Sequence, residues 1–152
     1  MKIDFVFKRA PAYRIAFLPP TTKYSDSGVR SQFERIAEWA RARHYRTGKW
    51  IFVYLTKPHH GRFQVAIEVK GRVRGDGKIG TRLIRASKVG SVTFDPDLVA
   101  PRVVYFGITD WLRWERSEKN IRSILGYREL YDGNPWTDRK AWSKTTLEVE
   151  VR

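Results

Sequence analysis

Phe33-Glu34-Arg35-Ile36-Ala37-Glu38-Trp39-Ala40 returns in type, 72 residues later, as Tyr105-Phe106-Gly107-Ile108-Thr109-Asp110-Trp111-Leu112. Working outward, Val53-Tyr54-Leu55-Thr56-Lys57-Pro58 is answered by Leu130-Tyr131-Asp132-Gly133-Asn134-Pro135 at a shift of 77. Val65-Ala66-Ile67-Glu68-Val69-Lys70 is answered by Leu147-Glu148-Val149-Glu150-Val151-Arg152 at a shift of 82. The shift grows through loop insertions while the order of elements survives, so the chain reads as one unit written twice. Two such units each hide a face against the other, and the seam between them is a natural pocket.

The periodicities name the elements. Strands are expected over 3–8 and 13–18, divided by Pro11 and ended by Pro19-Pro20. Val29, Phe33, Ile36, Ala37 and Ala40 fall at helical spacing, which predicts a helix from Val29 to about Tyr45. Ser25, Asp26 and Ser27 are cap candidates, and Gly48 suits a left-handed stop. A hairpin over 50–56 and 63–70 follows, turning at Lys57-Pro58-His59-His60-Gly61. The second half repeats the plan with strands at 81–86 and 89–94, a helix near 102–116, and strands at 127–131 and 144–152. Repeat one is placed at about 1–72, a flexible basic glycine-rich join at about 71–79, and repeat two at about 80–152. The predicted fold is α+β: tandem strand-helix-strand-strand repeats forming an antiparallel sheet, two helices on one face, and a cleft between repeats.

Bulk properties narrow the function. With 152 residues, 41% hydrophobic and 14% aromatic, the chain supports one domain with a real core. No apolar run approaches the roughly 20 residues of a membrane helix. The first residues lack the apolar stretch of a signal peptide, and there is no cysteine, so a cytoplasmic protein is expected. Thirty basic residues against sixteen acidic ones leave a net charge of +14, a field that attracts anions and nucleic acid above all.

Differences between the copies say more about function than the matches do. At the shift of 77, Phe52 in the first half becomes Glu129 in the second, and Tyr131 shares its strand face. A carboxylate in place of an aromatic is costly unless it meets a partner. That partner is either a structural cation such as Arg128 or a ligand. Trp39 and Trp111 occupy matching helix positions with Tyr105 one turn and more away; they pack the core or line the cavity. Tyr54, Trp50, Trp136 and Trp142 lie on or beside the late strands, where they can close its ends.

Pro11-Ala12-Tyr13-Arg14-Ile15-Ala16 before a polar loop, the helix end Ile36-Ala37-Glu38-Trp39-Ala40, and Glu129-Leu130-Tyr131 followed by Pro135 and the strand Leu147-Glu148-Val149-Glu150-Val151-Arg152 together resemble GyrI-like domains. These are effector-binding modules of multidrug-sensing transcription activators and occur alone as gyrase-inhibitory proteins. The resemblance implies a ligand cleft between tandem repeats, an acid at Glu129 facing it, Tyr131 beside it, and Tyr105 and Trp111 as aromatic lining. A stand-alone binder of a small organic molecule is therefore expected, with Trp39 and Tyr54 as further walls. The family's DNA-binding helices do not precede strand-like sequence here, which argues against a transcription-factor role for this chain alone. The net charge turns the expectation toward an anionic or neutral ligand relative to the family.

Two alternatives stay open. A buried Glu129 assisted by Tyr131 or Tyr54 could hydrolyse a small molecule, as some family members do, and nothing in the residues separates that from binding. A basic module for nucleic acid or an acidic protein such as a topoisomerase would use Arg41, Arg43, Arg46 and Lys49 with Arg72 and Arg74, flanked by Lys70 and Lys78; Arg113, Arg116, Lys119 and Arg122 form a third cluster. No cofactor is expected, and no metal: imidazole is limited to His44, His59 and His60, the last two in a turn where adjacent side chains diverge. Asp95-Pro96-Asp97 reads as a loop-shaping turn, and the glycines at 71, 75 and 77 do not form a phosphate loop.

Overall fold

The computed structural model describes residues 3–55 and 61–152; the predicted turn at Lys57 to His60 lies outside them. The first half runs β1 (Val6–Ala10), β2 (Tyr13–Phe17), α1 (Asp26–Ala42), β3 (Arg46–Tyr54) and β4 (Phe63–Lys70). The second runs β5 (Gly80–Ile84), β6 (Ser87–Phe94), α2 (Pro101–Glu115), β7 (Ile124–Tyr131), α3 (Arg139–Ser143) and β8 (Thr145–Val151). All eight strands form one antiparallel sheet in the order β1-β6-β8-β7-β3-β4-β2-β5. The α+β class and the two helices on one face are as predicted.

That strand order is a palindrome about β7–β3, and it carries a feature the linear repeat conceals. The leading strand of each half pairs with the other half: β1 on β6, β5 on β2. Each lobe of the sheet is thus closed by a strand lent from its twin. At the axis, Phe52 and Glu129 are direct cross-strand partners, with Trp50 opposite Tyr131 and Tyr54 opposite Tyr127. The copies therefore meet at the position where they differ most.

α1 buries Val29, Phe33, Ile36, Trp39 and Ala40 against Phe52, Val65 and Ile67; α2 buries Val104, Tyr105, Ile108 and Leu112 against Val92, Leu147 and Val149. Burying each large side chain is worth about 1.5–3 kcal/mol, so the two helix–sheet seams hold most of the fold. A third cluster of Ile15, Ile51, Ala66 and Leu130 fills the opposite sheet face.

Several boundaries move, each for a local reason. α1 begins a turn earlier than Val29 because Ser25 Oγ accepts the Gly28 amide at 3.0 Å. It ends at Ala42, with His44, not Gly48, in the left-handed region at φ 57°. Gly48 instead lies within β3, where a Cβ would run into the Glu68 carboxylate. α2 starts on Pro101, a residue suited to the first helical position. The join makes contacts of its own with the first half. Asp76 accepts the amides of Lys78 (2.8 Å) and Ile79 (2.9 Å) and also the indole of Trp39 (3.0 Å), which ties the segment to α1. α3, absent from the sequence reading, is capped by Asp138, which accepts the Lys140 amide at 2.9 Å.

Candidate functional site

Between the N-terminal ends of α1 and α2, above the β3–β7 axis, lies a cavity of about 710 Å³. Its aromatic lining is Tyr24, Phe33, Phe52, Tyr54, Phe63, Phe94, Tyr131, Trp136 and Trp142. Phe52 and Phe63 stack at 4.9 Å, Tyr131 lies parallel to Trp142 at 6.5 Å, and Phe33 leans on Trp136 at 5.8 Å.

Glu129 lies at the base. Its carboxylate accepts three phenol hydrogen bonds: from Tyr131 at 2.6 Å, from Tyr54 at 3.3 Å, and from Tyr105 of α2. Strand alternation sends Arg128 to the opposite sheet face, where it bonds Glu148 at 2.9 Å. Among the described residues Glu129 has no ion pair. Burial, and after it the charge of Glu129, hold the hydroxyls of Tyr54, Tyr105 and Tyr131 above their ordinary value of 10.0. They stay protonated and continue to donate.

The walls are pinned by two further acids. Asp26, at the start of α1, accepts the Trp136 indole at 3.1 Å; Asp97 accepts that of Trp142 at 3.0 Å and meets Arg139 at 3.3 Å. Among the described residues the charged lining is thus Asp26, Asp97 and Glu129 against Arg139. In a chain of net charge +14, the described lining of the cleft is acidic.

The structure brings four of the expected residues together: Glu129, Tyr131, Tyr54 and Tyr105, the last beneath the carboxylate and not on the cavity surface. Trp39 and Trp111 are elsewhere. Trp39 contacts Tyr45 and Asp76, and Trp111 packs on Phe5 at 5.7 Å. Each indole sits six residues, roughly 9 Å of helix, beyond the aromatic that its helix brings to the site, Phe33 on the cavity wall and Tyr105 beneath Glu129. Trp136 and Trp142, expected near its ends, form a wall. Tyr24, Asp26, Asp97 and Arg139 were not foreseen; a Trp-x-Asp-x-x-x-Trp run across a capped short helix is the signal that could have marked that wall. The Asp95-Pro96-Asp97 turn does shape the loop, Asp95 accepting the Asp97 amide at 2.9 Å.

The basic residues lie away from the cleft. Arg41 and Arg43 close α1, Arg46 and Lys49 open β3, and Arg72 and Arg74 lie in the join, all exposed. Arg43 pairs with Asp76 at 3.4 Å and caps the Trp39 ring; Lys49 is 4.0 Å from Asp132. Among the described residues no cluster of His, Asp or Glu could hold a metal, and no helix is long and apolar enough to cross a membrane.

No protein-family model and no curated sequence matches this chain. Solved structures do. The EcmrR C-terminal domain superposes with a TM-score of 0.78 over 100% of this chain and 99% of that one, at 15% identity. In the EcmrR–DNA complex the TM-score is 0.76 at 14% identity, and this chain spans 57% of the EcmrR chain's length. SAV2435 bound to tetraphenylphosphonium gives 0.58 at 10% identity, covering 98% of this chain and 94% of that one. A Listeria innocua hydrolase encoded by lin2189 gives 0.60 at 10% identity, covering 99% and 92%. The GyrI-like fold implied by the sequence resemblance is the fold observed.

Proposed function

We propose that this chain is a receptor for a lipophilic organic cation, held in the cleft by aromatic burial and by the charge of Glu129. One observation carries the reading: a carboxylate oriented by three phenol donors at the base of an aromatic cavity, with no cation of the protein paired to it among the described residues. A cavity of about 710 Å³ is within the range of small-molecule sites. Indole and phenol faces attract a cation by about 2 kcal/mol or more when water is excluded. The overall positive charge does not oppose this strongly. Its field is screened over about 8–10 Å in physiological salt, whereas Asp26, Asp97 and Glu129 act at contact. This reverses the preference for an anionic or neutral guest that net charge alone implied. That SAV2435, of the same fold, is bound to tetraphenylphosphonium supports the choice of ligand class.

The test uses an isosteric pair. Tetraphenylphosphonium is titrated against the protein while Trp136 and Trp142 report by fluorescence, and tetraphenylborate serves as the anion of equal shape. The cation should bind at least about tenfold more tightly, and Glu129→Gln should remove about 1.4 kcal/mol or more of that preference. Equal affinities, or indifference to Glu129→Gln, would refute the reading. Hydrolysis is the second reading, favoured by the direct contact of phenol hydroxyls with the carboxylate. There Glu129→Gln would abolish turnover of a reactive substrate and leave its affinity unchanged.

A further inference from the structure

A second hollow, of about 310 Å³, lies at the other end of α1, under the join. It is lined by Arg14 of β2, Arg72 and Arg74 of the join, Tyr45, Gly71 and Val73. Three of these six residues are arginines, and among the described residues no acid lines the hollow. Tyr45 is placed by its ring contact with Trp39 at 5.5 Å, and its hydroxyl accepts the Arg74 amide at 3.4 Å, which docks the join over the hollow. Gly71, at φ 83°, makes the left-handed turn that brings Arg72 round from the end of β4.

The surroundings add positive charge. Arg46 and Lys70 are direct cross-strand partners, a like-charge pairing that disfavours the sheet. The acids of this end are engaged elsewhere: Asp76 with Arg43, the Trp39 indole and two amides, and Glu68 with the Lys49 amide. Among the described residues none of Arg14, Arg46, Lys70, Arg72 and Arg74 forms an ion pair.

We propose that this hollow is an anion site for a phosphoryl group, separate from the aromatic cleft. Three arginines from two segments bring more positive charge to the hollow than one carboxylate can balance, and their guanidinium chemistry suits the several oxygens and double charge of a phosphate. The hollow is at the small end of ligand pockets, so it admits a phosphate or pyrophosphate and not a drug-sized body. Two sources offer that chemistry: a free phosphate ester, or the backbone of a nucleic acid laid across the basic end.

The experiment is calorimetric titration with inorganic pyrophosphate at roughly 0.15 M salt, repeated with a short oligo(dT) as competitor. Saturable binding is expected, weakened about tenfold or more by Arg72→Ala with Arg74→Ala, and independently by Arg14→Gln from the other segment. Arg113→Ala with Lys119→Ala removes the same charge at a distant place and should change affinity less than about twofold. Circular dichroism checks that each variant folds, and tetraphenylphosphonium binding should be the same in all of them. Displacement of pyrophosphate by oligo(dT) would identify a nucleic-acid source, and failure to displace it a free phosphate ester. Equal weakening in both double variants, or no saturable pyrophosphate binding to the unmodified protein, would overturn the site and leave only a general charge field.

Discussion

The two halves carry the same cluster of positions with opposite chemistry. In the second half, Glu129 on β7 and Tyr105 on α2 meet through a hydrogen bond, with Tyr54 and Tyr131 completing the shell. Their counterparts in the first half are Phe52 and Phe33. These stack on Phe63 at 4.9 Å and on Trp50 at 5.1 Å. Tyr54 and Tyr131 are themselves equivalent under the shift of 77, so the axis gives the carboxylate a phenol from each copy. Duplication supplied the frame and the two flanking tyrosines. The difference at one helix and one strand position makes one half a charged base and the other an apolar wall.

Erasing that divergence should have the largest effect. Glu129→Phe makes the β7 position like its twin and removes the acceptor of the deeply buried Tyr131 hydroxyl, while Tyr105 keeps its hydrogen bond with Tyr54. A stranded donor costs about 1–3 kcal/mol, so stability in urea should fall by about that much, and tetraphenylphosphonium affinity by about a hundredfold. Adding Tyr131→Phe removes the stranded donor. Stability should then recover by about 1 kcal/mol while binding stays lost. If the double variant is no more stable than the single one, the polar cluster is not a coupled unit.

Alkaline titration sharpens the same contrast. Tyr54, Tyr105 and Tyr131 bind their protons more tightly folded than unfolded, because of burial first and Glu129 second. Burial also pushes the Tyr13 hydroxyl up to about 12, partly offset by Arg128. Below pH 10 both states keep these protons and stability is flat with respect to them. Above it the unfolded chain ionises first, so stability falls as pH rises, by about 1.4 kcal/mol per pH unit for each such tyrosine. Absorbance at the tyrosinate band should lag the unfolded control until the protein melts. In Glu129→Gln the charge is gone and burial remains, so the fall should have the same slope but end at a lower pH.

The repeat, the two helices and the singular acid were all legible in the residues, because each rests on local periodicity or on comparison of one copy with the other. The exchange of β1 and β5 was not. Strands over 6–10 and 80–84 have no local pattern that states which lobe they join; pairing at that distance is set by the completed sheet. The cleft wall was half legible. The indoles of Trp136 and Trp142 stood out, but the insertion between β7 and β8 that carries them had no counterpart in the first half to interpret it. The acids that hold them, Asp26 and Asp97, sit more than 40 residues away in sequence. Gly48 illustrates another limit: its role as clearance for Glu68 depends on a neighbour strand, while His44 took the turn expected of it.

Trp39 shows why helical spacing misplaced two residues, and it supplies the smallest expected effect. Periodicity gives direction around a helix and not position along the axis, so Trp39 and Trp111 share the buried face of Phe33 and Tyr105 without reaching the cleft. Trp39 instead donates to Asp76 and lies under the Arg43 guanidinium. Trp39→Phe keeps the ring in the core and loses that hydrogen bond. The bond is half-exposed, so the loss should be about 0.5–1.5 kcal/mol in urea denaturation, with proteolysis at the 71–79 join accelerated. Tetraphenylphosphonium affinity should be unchanged. A weakened affinity would mean that the far end of α1 is coupled to the cleft, and the contrast between the two halves would then extend along the whole helix.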